Sequence, residues 1–517
     1  MTGYTREHTA RGIVIPSGIR AEYDFTKQRN DDGGRKRRQA RNETGPEESI
    51  LRPYQRRQAI NLARDMVRNN PQSRGMSRTL RTNIVGDYGK LIFNDTDAWH
   101  KTAQDWFNNT WSRAADFRDG STFRECLQLV VYALSHEGDF VCVFDNGIIT
   151  GGNGTGKLLF FEADQICNLE DTDFAPFKAR GFKQDSGIVK DRYDRIVGII
   201  VSHERGKDTV KLSNAWVLSH DPDADTLPPW RFVRRKFRLV QARGSADAIP
   251  AIQTTVDGYE MLGYEMQTAK KAAARYASVI EPAGESGMST PSGFEPIEID
   301  GETVDPNLTP EEEEEEIEAQ RLEHYTGGNT DYLPSGSTVV FDPTNRPNAQ
   351  LEPFLNYTND LTGSAHGLSH AYARNRADSS YTAFRGDMVM TWMTFKDFQQ
   401  FLEDGFSDWV AVMAIGWAIL TGKLTRPASA TWMLSVAWQY PTMPAVDEQK
   451  EQSALAQKFK NGLTTFREML GPQWQERLTQ FSDEVKFARG LNLPLAIFET
   501  VAGAPAGGNS NNNSNQE

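Results

Sequence analysis

Three stretches of this chain keep helical spacing over unusual lengths, at residues 250–280, 351–369 and 384–422. The first, IPAIQTTVDGYEMLGYEMQTAKKAAARYASVI, would extend roughly 45 Å at about 1.5 Å per residue. Gly258 and Gly263 lie inside it. An exposed helical glycine costs about 1 kcal/mol relative to alanine, so both imply close packing against neighbouring helices. Residues 281–310 are rich in Gly, Pro and Ser, followed by EEEEEEIEAQRLEHY and a strand, STVVFDP. Two long helices flanking such an excursion, with a polar loop at 370–383 before the third, suit an assembly component better than an enzyme.

The remainder reads as α+β. Apolar spacing predicts helices over 48–67, 72–85, 96–111 and 122–136. The middle of the chain alternates turns with short strands, as in FKQDSGIVKDRYDRIVGIIVS and WVLSHDP, without the strand–helix alternation of a nucleotide-binding fold. A last helical unit spans 445–490, and GGNSNNNSNQE forms a low-complexity tail.

GGNGTGK, at 151–157, fits the opening of a phosphate-binding loop. Such a loop also needs a Ser or Thr hydroxyl for Mg²⁺ and must open a helix, whose free N–H groups hold the anion. Leu158 occupies the hydroxyl position, and LLFFE continues as a strand. With DFVCVFDNGII upstream, the glycines form the turn of a hairpin.

The formal charge of −13 is unevenly spread. Residues 295–323 hold thirteen acids and one base, contributing −12 of it. Two basic blocks balance the rest: KQRNDDGGRKRRQAR at 27–41 with seven basic residues, and 52–81 with eight arginines against Asp65 alone. Residues 1–48 read as a polar arm that either contacts nucleic acid or a neighbouring subunit, or is simply solvated. Cys126, Cys142 and Cys167 are an odd number without metal-ligand spacing, which suits a reducing cytoplasm. No apolar run reaches the length of a membrane span, and the N-terminus lacks the apolar core of a signal peptide, so no membrane association is expected.

Catalytic chemistry finds no foothold, and no catalytic residue, metal or cofactor is assigned. His366 and His370 share a helical face as zinc ligands would, but Gly367 stands where a metalloprotease carries its glutamate. The acidic run Glu311, Glu312, Glu313, Glu314, Glu315 and Glu316 points all round a helix and converges on no cation. Lys270, Lys271 and Arg275 on the first long helix, and Arg374 and Arg376 in the polar loop, are candidate phosphate contacts.

RQAINLARDMVRNNPQSRGMSRTLRTNIVGDYG, at 57–89, resembles the N-terminal signature of portal proteins of lambda-type tailed bacteriophages. There a helix ends in an RNNP-like turn and the next ends in NxVG. Further matches follow in order: YDRIVGIIVSHER, LPSGSTVVFDPTNRPNAQLEPF, DSSYTAFRGDMVMTWMTF and VDEQKEQSALAQKFKNGLTTFREML. They cover residues 50–493. The glutamate-rich insert is longer and more acidic than the family pattern, and WRFVRRKFRLVQARGSADAIPAI lacks the family's glycine-rich turn.

The resemblance implies an α+β portal fold: a helical and hairpin-rich wing, long stem helices, a small α/β clip and an α-helical crown, assembled as a homo-oligomeric ring, typically a dodecamer, at one capsid vertex of the virion. Assembly would take place in the host cytoplasm. On this chain it implies a basic arm at 1–49, wing at 50–249 and 384–444, stem helices at 250–280 and 351–369, clip at 281–350, tunnel loop at 370–383, crown at 445–493 and a tail at 494–517. Double-stranded DNA would pass through the channel during packaging and ejection. Implied partners are the major capsid protein, the terminase large subunit that supplies force from ATP, and later the head–tail adaptor. Twelve times −13, or −156, would favour sliding over gripping, since each neutralised phosphate adds affinity. Two other readings stay open: a packaging nuclease or ATPase with a degenerate phosphate loop, and a monomeric or dimeric DNA-binding scaffold using the basic blocks.

Overall fold

A computed structural model describes residues 51–491 apart from 88, 96, 225, 275–276, 281–329, 334–349, 378–379, 445–447, 467–468 and 470–473. The expected clip strand at 337–343, the glutamate run Glu311–Glu316, Arg275 and both terminal segments lie outside the described residues.

The chain enters through two helices, α1 (Pro53–Asn69) and α2 (Pro71–Ile84). The NNP sequence makes the break between them. Asn70 is extended, its side chain accepts from the N–H groups of Gln72 and Ser73, and Pro71 takes the first helical position. A cap of this kind contributes about 1 kcal/mol, and the proline gives up an N–H that has no helical partner there. Gly86, at φ +53°, stops α2, its N–H donating to the Arg81 carbonyl.

After β1 (Lys90–Phe93) come α3 (Ala98–Asn109), N-capped by Asp97, and α4 (Phe123–His136), opened by a reciprocal capping box between Thr122 and Glu125. Then β2 (Asp139–Phe144) and β3 (Leu158–Glu162) form an antiparallel hairpin. Beyond it lie β4 (Asn168–Leu169), α5 (Asp171–Ala179), β5 (Lys183–Asp185), β6 (Ile188–Lys190), β7 (Ile196–Ser202), β8 (Thr209–Val210), β9 (Ala215–Ser219) and β10 (Trp230–Arg234). The sheets run β10-β2-β3 and β5-β6-β7-β9.

Every residue of β2 is buried because the strand is covered on both faces. Phe140, Cys142 and Phe144 face a helical core with Leu127, Val131 and Phe406. Val141 and Val143 point the other way, onto Ile188, Ile199, Val201 and Leu218 of the second sheet. Period-two alternation thus serves two cores at once.

The first long helix, α6 (Ile252–Ala274), ends before the expected 280. Ala277–Ile280 is instead strand β11, pairing in parallel with β12 (Thr330–Leu333). The β-branched Val279 and Ile280 suit a strand, and the sequence between the two strands is long enough for the connection that a parallel pair needs. Next come α7 (Leu351–Ala365) and α8 (His370–Arg374), the latter in a segment expected to be loop. The third long stretch, expected as one helix over 384–422, is α9 (Tyr381–Leu402) and α10 (Asp408–Leu420) joined by a π-turn at Glu403–Ser407. Arg231 Nε donates to the Gly405 carbonyl at 2.8 Å, tying β10 to that turn. Strand β13 (Val436–Gln439) closes back on β1, and α11 (Glu448–Lys460) and α12 (Trp474–Gly490) finish the described chain.

The arrangement is mixed helix and strand. Cys126, Cys142 and Cys167 are all free and buried. No helix among the described residues is long and apolar enough to cross a membrane.

Candidate DNA-channel segment

The candidate segment runs from α7 through α8 to the start of α9. Gly367, at φ +68°, turns the chain out of α7; a Cβ there would meet Thr394 Cγ2 at 2.6 Å. At Gly363 a Cβ would meet Ala373 Cβ at 2.3 Å, so α8 lies directly against α7. Asn375 then ends α8 in the left-handed region, which asparagine tolerates better than most residues. From the other side, Gln72 Nε2 of α2 donates to the Ala373 carbonyl, and Thr79 Oγ1 donates to Asn375 Oδ1 at 3.3 Å. The helix that follows the NNP turn therefore positions this segment.

Both arginines of the segment are engaged by acids of α7. Arg374 Nε donates to Asp360 Oδ1 at 2.7 Å, and its Nη2 donates to Asp360 Oδ2, a fork-to-fork pair. His370 Nδ1 lies 3.0 Å from the same Oδ2. Burial alone would push the Asp360 carboxyl up, but the hydrogen bonds from Arg374 and His370 hold it below the usual carboxylate range. Arg376 Nη1 sits 3.3 Å from Glu352 Oε1 in an exposed pair.

Lys270 is exposed near the C-terminal end of α6, where Lys271 also lies. Arg374 and Arg376 share one wall along α7; no ion pair among the described residues joins Lys270 to them. The acids Asp360 and Glu352 were not anticipated from sequence. A carboxylate fourteen positions from its arginine leaves no local pattern to read.

His366 and His370 do not converge. His366 is buried with its ring 5.3 Å from that of His136, whereas His370 is exposed beside Asp360. No group of three potential metal ligands occurs among the described residues.

A profile described as "Phage portal protein, lambda family" matches residues 32–399. The chain belongs to this family. Its function is that of a phage portal protein. No curated protein matches the chain. Among solved structures, a chain from the neck of an empty gene transfer agent particle is similar at 12% identity and a TM-score of 0.47, covering 79% of this chain and 90% of that one. A chain from the native gene transfer agent virion gives 12%, 0.44, 79% and 90%.

In this portal the glycine-rich hairpin holds a carboxylate of its own. Asp145 is fully buried at the base of the turn. Its two oxygens accept from the N–H groups of Gly147, Ile149, Thr150 and Thr155 and from the hydroxyls of Thr150 and Thr155, at 2.7–3.3 Å. The amides that a phosphate would need are therefore spent. Burial by itself would raise this carboxyl, yet the hydrogen bonds from Thr150 and Thr155 bring it down to about 2. Trp417 of α10 clamps the turn, its Nε1 donating to the Asn153 carbonyl at 2.7 Å.

The arginine-rich block of α1 and α2 is partly spent inside the portal subunit. Arg64 pairs with Glu137, Glu162 and Asp164. Arg57 pairs with Asp208, and Arg56 donates to the Gly244 carbonyl.

Proposed function

We propose that this portal protein assembles as a closed ring, with the dodecamer typical of its family, through which double-stranded DNA is packaged and ejected. In this reading α6 and α7 form the stem around the channel. Residues 50–249 and 384–444 build the wing, 281–350 the clip, 370–383 the tunnel segment and 445–493 the crown. The ring sits at a capsid vertex, contacts the major capsid protein, and receives terminase and then a head–tail adaptor at the clip. It carries no catalytic site of its own, the motor being a separate ATPase. Lys270, Lys271, Arg275, Arg374 and Arg376 are its channel cations, and the Glu311–Glu316 run belongs to the clip.

The observation that carries this reading is the outer surface of the stem. Helices α6 and α7 pack closely through Gly258 against Thr358 Cγ2, which a Cβ would meet at 3.3 Å, and through Thr255 and Thr362, whose hydroxyls are 2.9 Å apart. Outside that contact, Tyr259, Tyr264 and Met266 of α6 and Phe354, Tyr357 and Leu361 of α7 stand exposed, Tyr264 at 65% and Tyr357 at 62%. Gly263, expected to pack as closely as Gly258 does, instead meets nothing within 4 Å among the described residues. So much apolar surface on two helices calls for a covering partner, and in a ring that partner is the neighbouring copy.

Tyr357→Asp combined with Leu361→Asp tests this. The expected product is a chain with unchanged far-ultraviolet circular dichroism that sediments as a monomer. Intact rings from the double variant would contradict the stem assignment.

A further inference from the structure

A channel for DNA must meet the duplex without holding it, because every phosphate neutralised by a cation adds affinity through counterion release. In the tunnel segment each arginine already has its own anion. The side chains of Arg374 and Asp360 are 24% and 13% exposed, those of Arg376 and Glu352 64% and 74%, so the first pair is tight and the second loose. Both acids come from α7, the stem helix directly against the segment. His370 leans on the Asp360 oxygen that also receives Arg374 Nη2.

We propose that Asp360 and Glu352 are positioning residues that set the grip of the portal on DNA, by neutralising Arg374 and Arg376 and holding their guanidinium groups against the stem. The inference rests on the portal reading, in which this segment faces the duplex. A passing phosphate recruits Arg374 only by displacing a carboxylate that binds it through two parallel hydrogen bonds. The contact is consequently brief, and the energy gained on each engagement is partly returned on release. Arg376, whose pair with Glu352 is exposed, exchanges more readily and makes the first contact. The neighbouring pairs thus form a graded surface, over which DNA slides with little net attraction.

A purely structural tie between α7 and α8 makes a different prediction. Losing it would loosen the segment without strengthening DNA binding. The charge argument requires the opposite sign.

The test uses rings of the full chain, verified by negative-stain microscopy before any DNA is added, with binding of a linear duplex measured across a salt series. Asp360→Asn keeps the shape and removes the charge. Its rings are expected to bind about tenfold tighter near 0.1 M salt, with the slope of log K against log salt steeper by about 0.9 for each arginine engaged. Asp360→Glu should behave as wild type, and Asp360→Asn with Arg374→Ala should lose the gain. Glu352→Gln, at an exposed site that tolerates substitution, should shift affinity the same way by a smaller factor, and it carries the test if Asp360→Asn fails to assemble. Unchanged affinity and slope in the assembled variants, or a gain that survives Arg374→Ala, overturns the inference. Absence of rings in the wild type would instead strike at the portal reading itself, before DNA enters the experiment.

Discussion

Asp139 and Arg243, separated by 104 positions, form a fully buried bidentate pair, with Arg243 Nε donating to Asp139 Oδ2 at 2.7 Å and Nη2 to Oδ1 at 2.9 Å. The remaining guanidinium donors reach the carbonyls of Ile166, Ser186 and Ala163. Gly244 N–H also donates to Asp139 Oδ2. One side chain thereby fastens the start of β2, the turn after β3 and the β5–β6 turn to the segment that leads into α6.

Breaking that pair leaves an uncompensated charge in the core. Arg243→Ala or Asp139→Ala should each cost about 3–5 kcal/mol. The check is a thermal melt of the purified protein, with a clear drop in the first unfolding transition for either variant. A melt within a degree of wild type would show that the pair is dispensable.

Asp145 should stabilise the hairpin turn in a pH-dependent way. Its folded pKa of about 2 lies below the ordinary 3.8, so its contribution is complete above pH 3.8 and disappears as pH falls toward 2. Asp145→Asn should therefore be less stable than wild type at pH 7, by about 1.5–3 kcal/mol as for hydrogen bonds to a charged group. The gap should close on acidification through that window. Urea titrations of both proteins at several pH values measure it, and a gap independent of pH would contradict the assignment.

Gly156→Ala should be destabilising although it adds one methyl group. The residue holds φ +70°, and a Cβ would lie 2.5 Å from Trp417 Cε3. A loss of about 1–3 kcal/mol is expected from strain and overpacking. A shift in the tryptophan fluorescence maximum should accompany it, since Trp417 would have to move.

His136 and His366 predict acid sensitivity. Burial, reinforced for His136 by His366 and for His366 by Arg235, brings their pKa values down to about 3 and about 4, well under the ordinary 6.5. The folded state then favours the neutral rings. Stability from this source is complete above pH 6.5 and falls as pH drops toward 4, by up to about 1.4 kcal/mol per pH unit for each histidine. His366→Gln should flatten that dependence, as denaturation midpoints at pH 7, 5.5 and 4.5 would report.

What was legible in the sequence was local. Asn70 and Pro71 fix the α1–α2 break through neighbours two and three residues away, and Thr122 with Glu125 announces the start of α4. The hairpin around the glycines follows from two apolar runs and the missing hydroxyl at Leu158. What stayed hidden depends on distant partners. Nothing beside Lys90 indicates that β1 pairs with Gln439 and its neighbours. Gly405 lowers helix propensity at the π-turn of Glu403–Ser407 without specifying that geometry, and the end of α6 at Ala274 is followed by strand pairing of Ala277–Ile280 with Thr330–Leu333. At the candidate site the arginines were visible as charges, but Asp360 and Glu352 gained meaning only once α8 was folded back onto α7.

The mass and symmetry of the purified particle, by light scattering and negative-stain averaging, bear most directly on the ring. Twelve chains of 58.0 kDa give about 700 kDa, and end-on views should show rotational symmetry around an axial hole. A stable, compact dimer under the same conditions, with no ring views at any concentration, would contradict the portal ring and its channel.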